Sequence, residues 1–372
     1  MSPGERPTHG GRAAARPGCR PVGVGSLRAT PTSGLALILL AIASAAPALG
    51  GQELPRVQVI ATGGTIAGQA GADQLTGAEL IDAVPEIARV ARIEVEEFSR
   101  IGSSAMTPDH WVRLSRRIDD LFEADPGLAG VVITHGTDTM EETAYFLHLT
   151  VAHDRPVVVV GSMRVSSAVS ADGPANLLAG VRVAATPDAR GLGVLVALND
   201  EIHSARDVRK TDNNRVDTFA SSEWGALGVV DADGVWFRRR ITTRHTVDSE
   251  LRIGSDDTLP DVAIVADYAG NDGAALRSLG TTGVKGVVVQ AFGGGRASPG
   301  MRRAASEVAE LGVPVVLASR VPEGRVMGST EAVARGILAA GDLPPHKARV
   351  LLMLALRVTS DPSRIQALLD TH

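Results

Sequence analysis

Four short runs rich in β-branched residues, 56-RVQVI-60, 130-GVVIT-134, 156-PVVVV-160 and 193-GVLVAL-198, recur along the chain with helical patterns between them. Runs of this kind are strands buried on both faces, and a parallel sheet covered by helices is the arrangement that buries strands so completely. Strand and helix alternating in sequence therefore set the class as α/β. A fifth segment, 93-IEVEEF-98, alternates apolar and charged residues and reads as a less buried strand.

Two of the intervening helices carry their own start signals. In 107-TPDHWVRLSRRIDDLFEA-124, Thr107 is placed to cap and Pro108 suits the first turn. In 139-TMEETAYFLHLTVA-152, Thr139 and Glu142 have capping-box spacing, and Met140, Ala144, Leu147 and Val151 share a face. Periodicity fails from 238 to 260, which places an interdomain linker at 241–260. Beyond it, 262-VAIVA-266, 286-GVVVQA-291 and 314-PVVLAS-319 read as strands of a smaller C-terminal α/β domain. Its helices are expected near 271–280, 299–311 and 330–340, with a closing pair from Lys347. The expected division is a leader over 1–50, a larger N-terminal domain over 54–240 with a mainly parallel sheet flanked by helices, the linker, and a C-terminal domain over 261–372.

The leader is read from composition. Five arginines and one glutamate in the first fifty residues give a local charge of +4, so of the net −5 the remainder carries −9. An acidic body lacks the basic face that nucleic acid requires. The apolar run 35-LALILLAIASAAPALG-50 follows, with small residues suited to signal-peptidase cleavage near Ala46-Pro47-Ala48. It is short and Ala-rich for a membrane span, so no stable span is expected after processing. The single cysteine, Cys19, lies within this removable part. A processed chain would have no disulfide and no cysteine nucleophile, which suits an exported, periplasmic or secreted protein.

Chemistry concentrates where two strands end. Both 57-VQVIATGGTIAG-68 and 130-GVVITHGTDTM-140 run from buried strand into glycine-punctuated, hydroxyl-bearing turns. Ligands of open parallel sheets bind beyond the carboxyl ends of the strands, and glycines let backbone N–H groups approach a developing oxyanion. A threonine hydroxyl attacks only when a neighbour takes its proton. Asp138 and Lys210, in 206-RDVRKTDNNR-215, are the candidates by type, although spacing alone does not bring Lys210 into the site. Taken singly, a loop lysine is usually solvated and a strand-ending threonine is usually a turn residue; two such turns together carry the argument. His135 reads as a structural hydrogen-bonding residue. The nine histidines show no paired metal-ligand spacing, so neither metal nor cofactor is expected.

The segments ATGGTIAG at 61–68, IGSSAM at 101–106, THGTDTMEETAYFL at 134–147, SADGPANL at 170–177, DVRKT at 207–211 and SRVPEG at 319–324 give the chain a resemblance to the bacterial exported-type L-asparaginases, also called glutaminase-asparaginases. It runs from about Pro55 to the carboxyl terminus. The resemblance implies hydrolysis of L-asparagine to L-aspartate and ammonia through a threonine acyl-enzyme. It implies Thr65 as nucleophile and Thr137 as second catalytic threonine, with Lys210 and Asp138 easing deprotonation. Ser103 and Asp138 would hold the substrate's α-carboxylate and α-amine, with Gly64, Ser104 and Gly136 lining the pocket. Glu331 would reach a neighbouring subunit's site in a homotetramer built as a dimer of dimers.

The chain departs from the family in its first loop. Family members carry a tyrosine there that acts near the nucleophile, whereas 66-IAGQAGADQLTGAEL-80 has none and is several residues short; the chain's two tyrosines are Tyr145 and Tyr268. Ser104 stands where the family often has glutamine, and Gly270 near a usual asparagine. These differences leave two alternatives: a variant leaning toward glutamine, or a weakly active or non-catalytic amino-acid-binding homologue. A subunit of a tRNA-dependent amidotransferase is opposed by the leader, the acidic body and the lack of an added tRNA-binding domain.

Overall fold

The computed structural model describes residues 53–69, 74–254 and 257–372. The expected leader, its cleavage site and Cys19 lie outside the described residues. Glu53–His372 is one compact unit.

Eight strands form the larger sheet: β1 (Arg56–Ala61), β2 (Arg92–Glu97), β3 (Leu128–Thr134), β4 (Val157–Val160), β5 (Val194–Leu198), β6 (Glu201–Ser204), β9 (Gly228–Asp231) and β10 (Gly234–Phe237). Their order is β10-β9-β6-β5-β4-β3-β1-β2. The five expected strands make its parallel part, with β2 at the edge and largely exposed. Side chains along the parallel strands divide between two cores. Val131, Ile133, Val157, Val159, Val194 and Val196 enter one, and Val132, Val158, Val160, Leu195 and Ala197 the other. Both faces are apolar because helices cover both. The antiparallel strands β6, β9 and β10 extend the sheet beyond what the sequence signalled. They are only four residues each, and polar or exposed positions interrupt every one, so no apolar run announces them.

The helices of this part are α1 (Gly77–Asp82), α2 (Pro108–Ala124), α3 (Met140–Thr150) and α4 (Gly173–Ala185). Thr107 caps α2 as expected, and its N–H donates to His110 Nδ1 at 3.2 Å. The capping box expected of Thr139 and Glu142 does not form. Thr139 Oγ1 instead donates to the Ser103 carbonyl at 2.8 Å, and Glu142 faces Arg349 at 3.7 Å. The hydroxyl is taken by a neighbouring loop that needs anchoring, and α3 is left without a side-chain cap.

The smaller sheet is wholly parallel, in the order β11 (Val262–Ala266), β12 (Gly286–Ala291), β13 (Val315–Ser319), β14 (Ile337–Ala339). Helices α5 (Ala274–Thr281), α6 (Pro299–Glu310), α8 (Pro345–Val358) and α9 (Pro362–Thr371) agree with the expected positions. The helix expected over 330–340 does not run through. Only α7 (Thr330–Ala334) is helical; Gly336 then takes φ +80° and the chain turns into β14. The connector from 238 to 260 has one short 3₁₀ turn at Thr246–Asp248 among its described residues and buries Leu251 in the core that contains α3 and α8. That core takes residues from both sheets, Val159 and Val196 from one and Val288 and Val316 from the other.

Candidate active site

Strands β1 and β3 lie side by side with Ala61 opposite Thr134, so the turns that follow them leave the same carboxyl edge together. Thr62 binds the turns at their base, its N–H and Oγ1 donating to the Thr134 carbonyl at 3.2 and 2.7 Å. Gly63 and Gly64 then adopt φ of +96° and +89°, a region that favours glycine. A Cβ on Gly64 would fall 2.4 Å from both Cα and N of Gly136. The two turns therefore touch backbone to backbone, one residue before Thr65 and one before Thr137. Thr65 is half-buried and Thr137 is 6% exposed.

Lys210 comes in from a hairpin that no sequence spacing could place. The two-residue strands β7 (Arg209–Lys210) and β8 (Phe219–Ala220) pair, and the lysine side chain turns toward the β3 loop. Its Nζ donates to Thr137 Oγ1 at 2.9 Å and lies 3.3 Å from Asp138 Oδ1. The Asp138 side chain is 66% exposed, free to meet a cationic ligand group as well as Lys210. Ser103 is buried in the turn Ser103–Ala105, where its Oγ accepts the Asp138 N–H at 3.1 Å and its carbonyl accepts Thr139 Oγ1. It packs so closely on Gly136 that a Cβ there would lie 2.6 Å from its Oγ. Ser104 beside it is exposed.

Thr65, Thr137, Asp138, Lys210, Gly64, Gly136, Ser103 and Ser104 are thus assembled around one carboxyl edge. Glu331 is not part of that assembly within this chain. It stands on α7, 77% exposed, bonded to Arg335 one turn on. His135 is fully buried with Nδ1 2.7 Å from the Gly136 carbonyl, and burial lowers its pKa to about 4, so it is neutral. Tyr145 is fully buried on α3, 5.9 Å from the ammonium of Lys347, and Tyr268 is exposed after β11. Among the described residues no group of three or more His, Cys, Asp or Glu side chains could hold a metal ion, and no helix is long and apolar enough to cross a membrane.

Two family models account for nearly all of this structure. The asparaginase N-terminal model matches residues 56–243 and the glutaminase/asparaginase C-terminal domain model matches 261–369. The chain belongs to the asparaginase family. It is 43% identical to L-asparaginase 2 of Bacillus subtilis over 342 residues, covering 88% of this chain and 90% of that protein. It is 39% identical to L-asparaginase 2 of Escherichia coli, covering 91% and 98%, and 41% identical to a glutaminase-asparaginase of Pseudomonas fluorescens, covering 84% and 90%. Among solved structures, a probable cytoplasmic L-asparaginase from Campylobacter jejuni superposes with a TM-score of 0.82 at 43% identity, covering 86% of this chain and all of that one.

Two charged residues of this asparaginase escaped the sequence reading although one touches the Lys210 hairpin and the other the turn that leads into it. Glu141, on α3, accepts the Lys210 N–H at 2.7 Å and lies 2.8 Å from His346 Nε2. Burial alone would raise the Glu141 pKa, but the His346 hydrogen bond, the charges of Lys347 and His346, and the Lys210 N–H outweigh it and bring it down to about 2. Lys347 is fully buried on α8, and desolvation draws its pKa to about 8 against the opposing pull of Glu141 and Asp207. The available signals were a carboxylate at the second residue of the second motif helix and a lysine at the head of the mostly apolar run 347-KARVLLMLAL-356.

Proposed function

We propose that this asparaginase hydrolyses the side-chain amide of L-asparagine to L-aspartate and ammonia through an acyl-enzyme on Thr65. Thr65 Oγ attacks the carboxamide carbon, the C–N bond breaks as the nitrogen takes up the hydroxyl proton and leaves as ammonia, and water then cleaves the ester and restores the Thr65 hydroxyl. Thr137, held by Lys210, relays the proton, because an ammonium beside a hydroxyl lowers the cost of its alkoxide. Asp138 meets the substrate's α-amine, and Ser103 and Ser104 lie beside the place of its α-carboxylate. Backbone N–H groups of the Gly64 and Gly136 turns stabilise the oxyanion.

The observation that carries this reading is the contact of the two threonine turns at Gly64 and Gly136 with Lys210 Nζ on Thr137 Oγ1. An ammonia-release assay on wild type, Thr65→Val and Thr137→Val tests it. Both variants should fall to a small fraction of wild-type turnover, and purified wild type that releases no aspartate at high enzyme concentration would rule the reaction out.

The tyrosine-free first loop favours a second reading, a protein that binds amino acids with little or no turnover. Losing a general base costs about 10²–10⁴ in rate, about 3–5 kcal/mol of barrier. Calorimetry separates the two, since a binding protein gives stable heat with asparagine and no product. Preference between asparagine and glutamine is decided by the ratio of their kcat/KM values. We further propose that the chain divides at 241–260, that residues 1–50 direct export to the periplasm or beyond, and that four copies assemble with Glu331 contributing to a neighbouring site. A relative from Haemophilus influenzae, 41% identical and named a probable periplasmic L-asparaginase, supports export.

A further inference from the structure

We propose that Lys347 and Glu141 are positioning residues that set the backbone of the Lys210 hairpin against Thr137. The inference rests on the reading that the Lys210–Thr137 contact serves amide hydrolysis.

The Lys347 ammonium, fully buried, donates to the carbonyls of Ala205 at 2.9 Å, Arg206 at 2.9 Å and Val208 at 2.5 Å. An ammonium has three donors, and all three are spent on one turn, which ends two residues before Lys210. Burying a charge costs several kcal/mol, so an apolar side chain of the same length would be the simpler filler if volume were the only need. Three converging bonds do what an apolar filler would not: they fix the turn in position and direction. Lys347 belongs to α8 in the C-terminal half of the chain, so the hold on the 205–208 turn comes from outside the sheet that bears the threonines.

The second hold comes from α3. Glu141 sits four residues after Thr137, and its Oε1 takes the Lys210 N–H at 2.7 Å while Oε2 meets His346, the neighbour of Lys347, at 2.8 Å. The hairpin is therefore bound to the same helix whose entry loop carries Thr137. Lys210 has a flexible side chain of four carbons, and its Nζ meets Thr137 Oγ1 at 2.9 Å only while its own backbone is fixed. A misplacement of about 1 Å in such a contact costs on the order of 10²-fold in rate.

The test measures asparagine hydrolysis and amide hydrogen exchange on the full chain for wild type, Lys347→Met and Glu141→Met. In Lys347→Met, KM should stay within about threefold while kcat falls about 10–100-fold, a loss confined to the transition state. Peptides covering 205–211 should exchange faster, with those of β3 and β4 unchanged. A residue that only stabilised the fold would lower the unfolding temperature and leave kcat of the folded enzyme alone. A kcat within about twofold of wild type, or unaltered exchange at 205–211, overturns the proposal. If Lys347→Met does not fold, Glu141→Met decides, because it removes both acceptor oxygens at similar volume; the same split is expected, and wild-type kcat overturns it. If wild type itself shows no turnover, the hydrolase reading fails, and the exchange comparison still decides whether these two residues fix the hairpin.

Discussion

Lys210 Nζ stands 2.9 Å from Thr137 Oγ1, and the two residues reach each other from different sheets, the lysine from a two-residue hairpin and the threonine from the loop after β3. The contact is the electrostatic centre of the proposed reaction. Replacing Lys210 with Met keeps the stem and removes the charge. Turnover should fall by about 10²–10⁴, equivalent to about 3–5 kcal/mol of barrier, with little change in unfolding temperature because the ammonium is partly exposed. Ammonia release alongside thermal unfolding checks this; a variant with near-wild-type kcat would remove Lys210 from the mechanism.

The parallel part of the fold was legible because Val157–Val160 and its neighbours are apolar on both faces, and nothing but helices on both sides satisfies them. The threonine turns were legible for the same reason: a buried strand ends abruptly in glycine and hydroxyls. Lys210 could be named from the motif around it but not placed, since its position depends on the β7–β8 pairing, on a bond to Glu141, 69 positions away in sequence, and on the hold of Lys347 on Val208, 139 positions apart. Glu141 and Lys347 left only faint signals, because a buried charge looks, in sequence, like a solvated one. Thr139 misled for a local reason: capping-box spacing was present, but Ser103 offered its hydroxyl a nearer acceptor.

Gly64→Ala tests whether the two turns need their backbone contact. The new Cβ would meet Gly136 at 2.4 Å, and φ of +89° disfavours any side chain. Strain and displaced backbone together should cost roughly 2–5 kcal/mol, with activity lost. Gly191→Ala is the control, since it has φ +68° and nothing within 4 Å of the added atom. It should cost only the conformational part, about 1–2 kcal/mol. Urea unfolding of both variants separates contact from conformation, and equal losses would show that the turn-to-turn approach is unimportant.

The buried Glu141 predicts an acid limb of stability. Its pKa in the folded chain is about 2 against an ordinary 4.5, because the His346 hydrogen bond, the nearby Lys347 charge and the Lys210 N–H overcome desolvation. A carboxyl whose folded pKa is depressed stabilises fully above its unfolded pKa and loses that contribution as pH falls toward the folded value. Between about pH 4.5 and pH 2 the wild type should therefore lose roughly 3 kcal/mol more than Glu141→Gln does. Denaturant unfolding at a series of pH values gives the difference directly, and parallel curves for the two proteins would place the acid sensitivity elsewhere.

Glu331 separates a role in a neighbouring subunit from a role in its own chain. It is 77% exposed and pairs with Arg335 at 2.7 Å, both exposed and one turn apart. Such pairs are worth about 0.3–0.5 kcal/mol, so Glu331→Ala should leave the unfolding free energy almost unchanged. If the carboxylate completes a neighbouring site, the same variant should lose activity. Wild-type specific activity should also fall on dilution in step with dissociation followed by sedimentation. A monomer that hydrolyses asparagine at the undiluted rate would show that each chain holds a complete site, and Glu331 would then be an ordinary surface residue of α7.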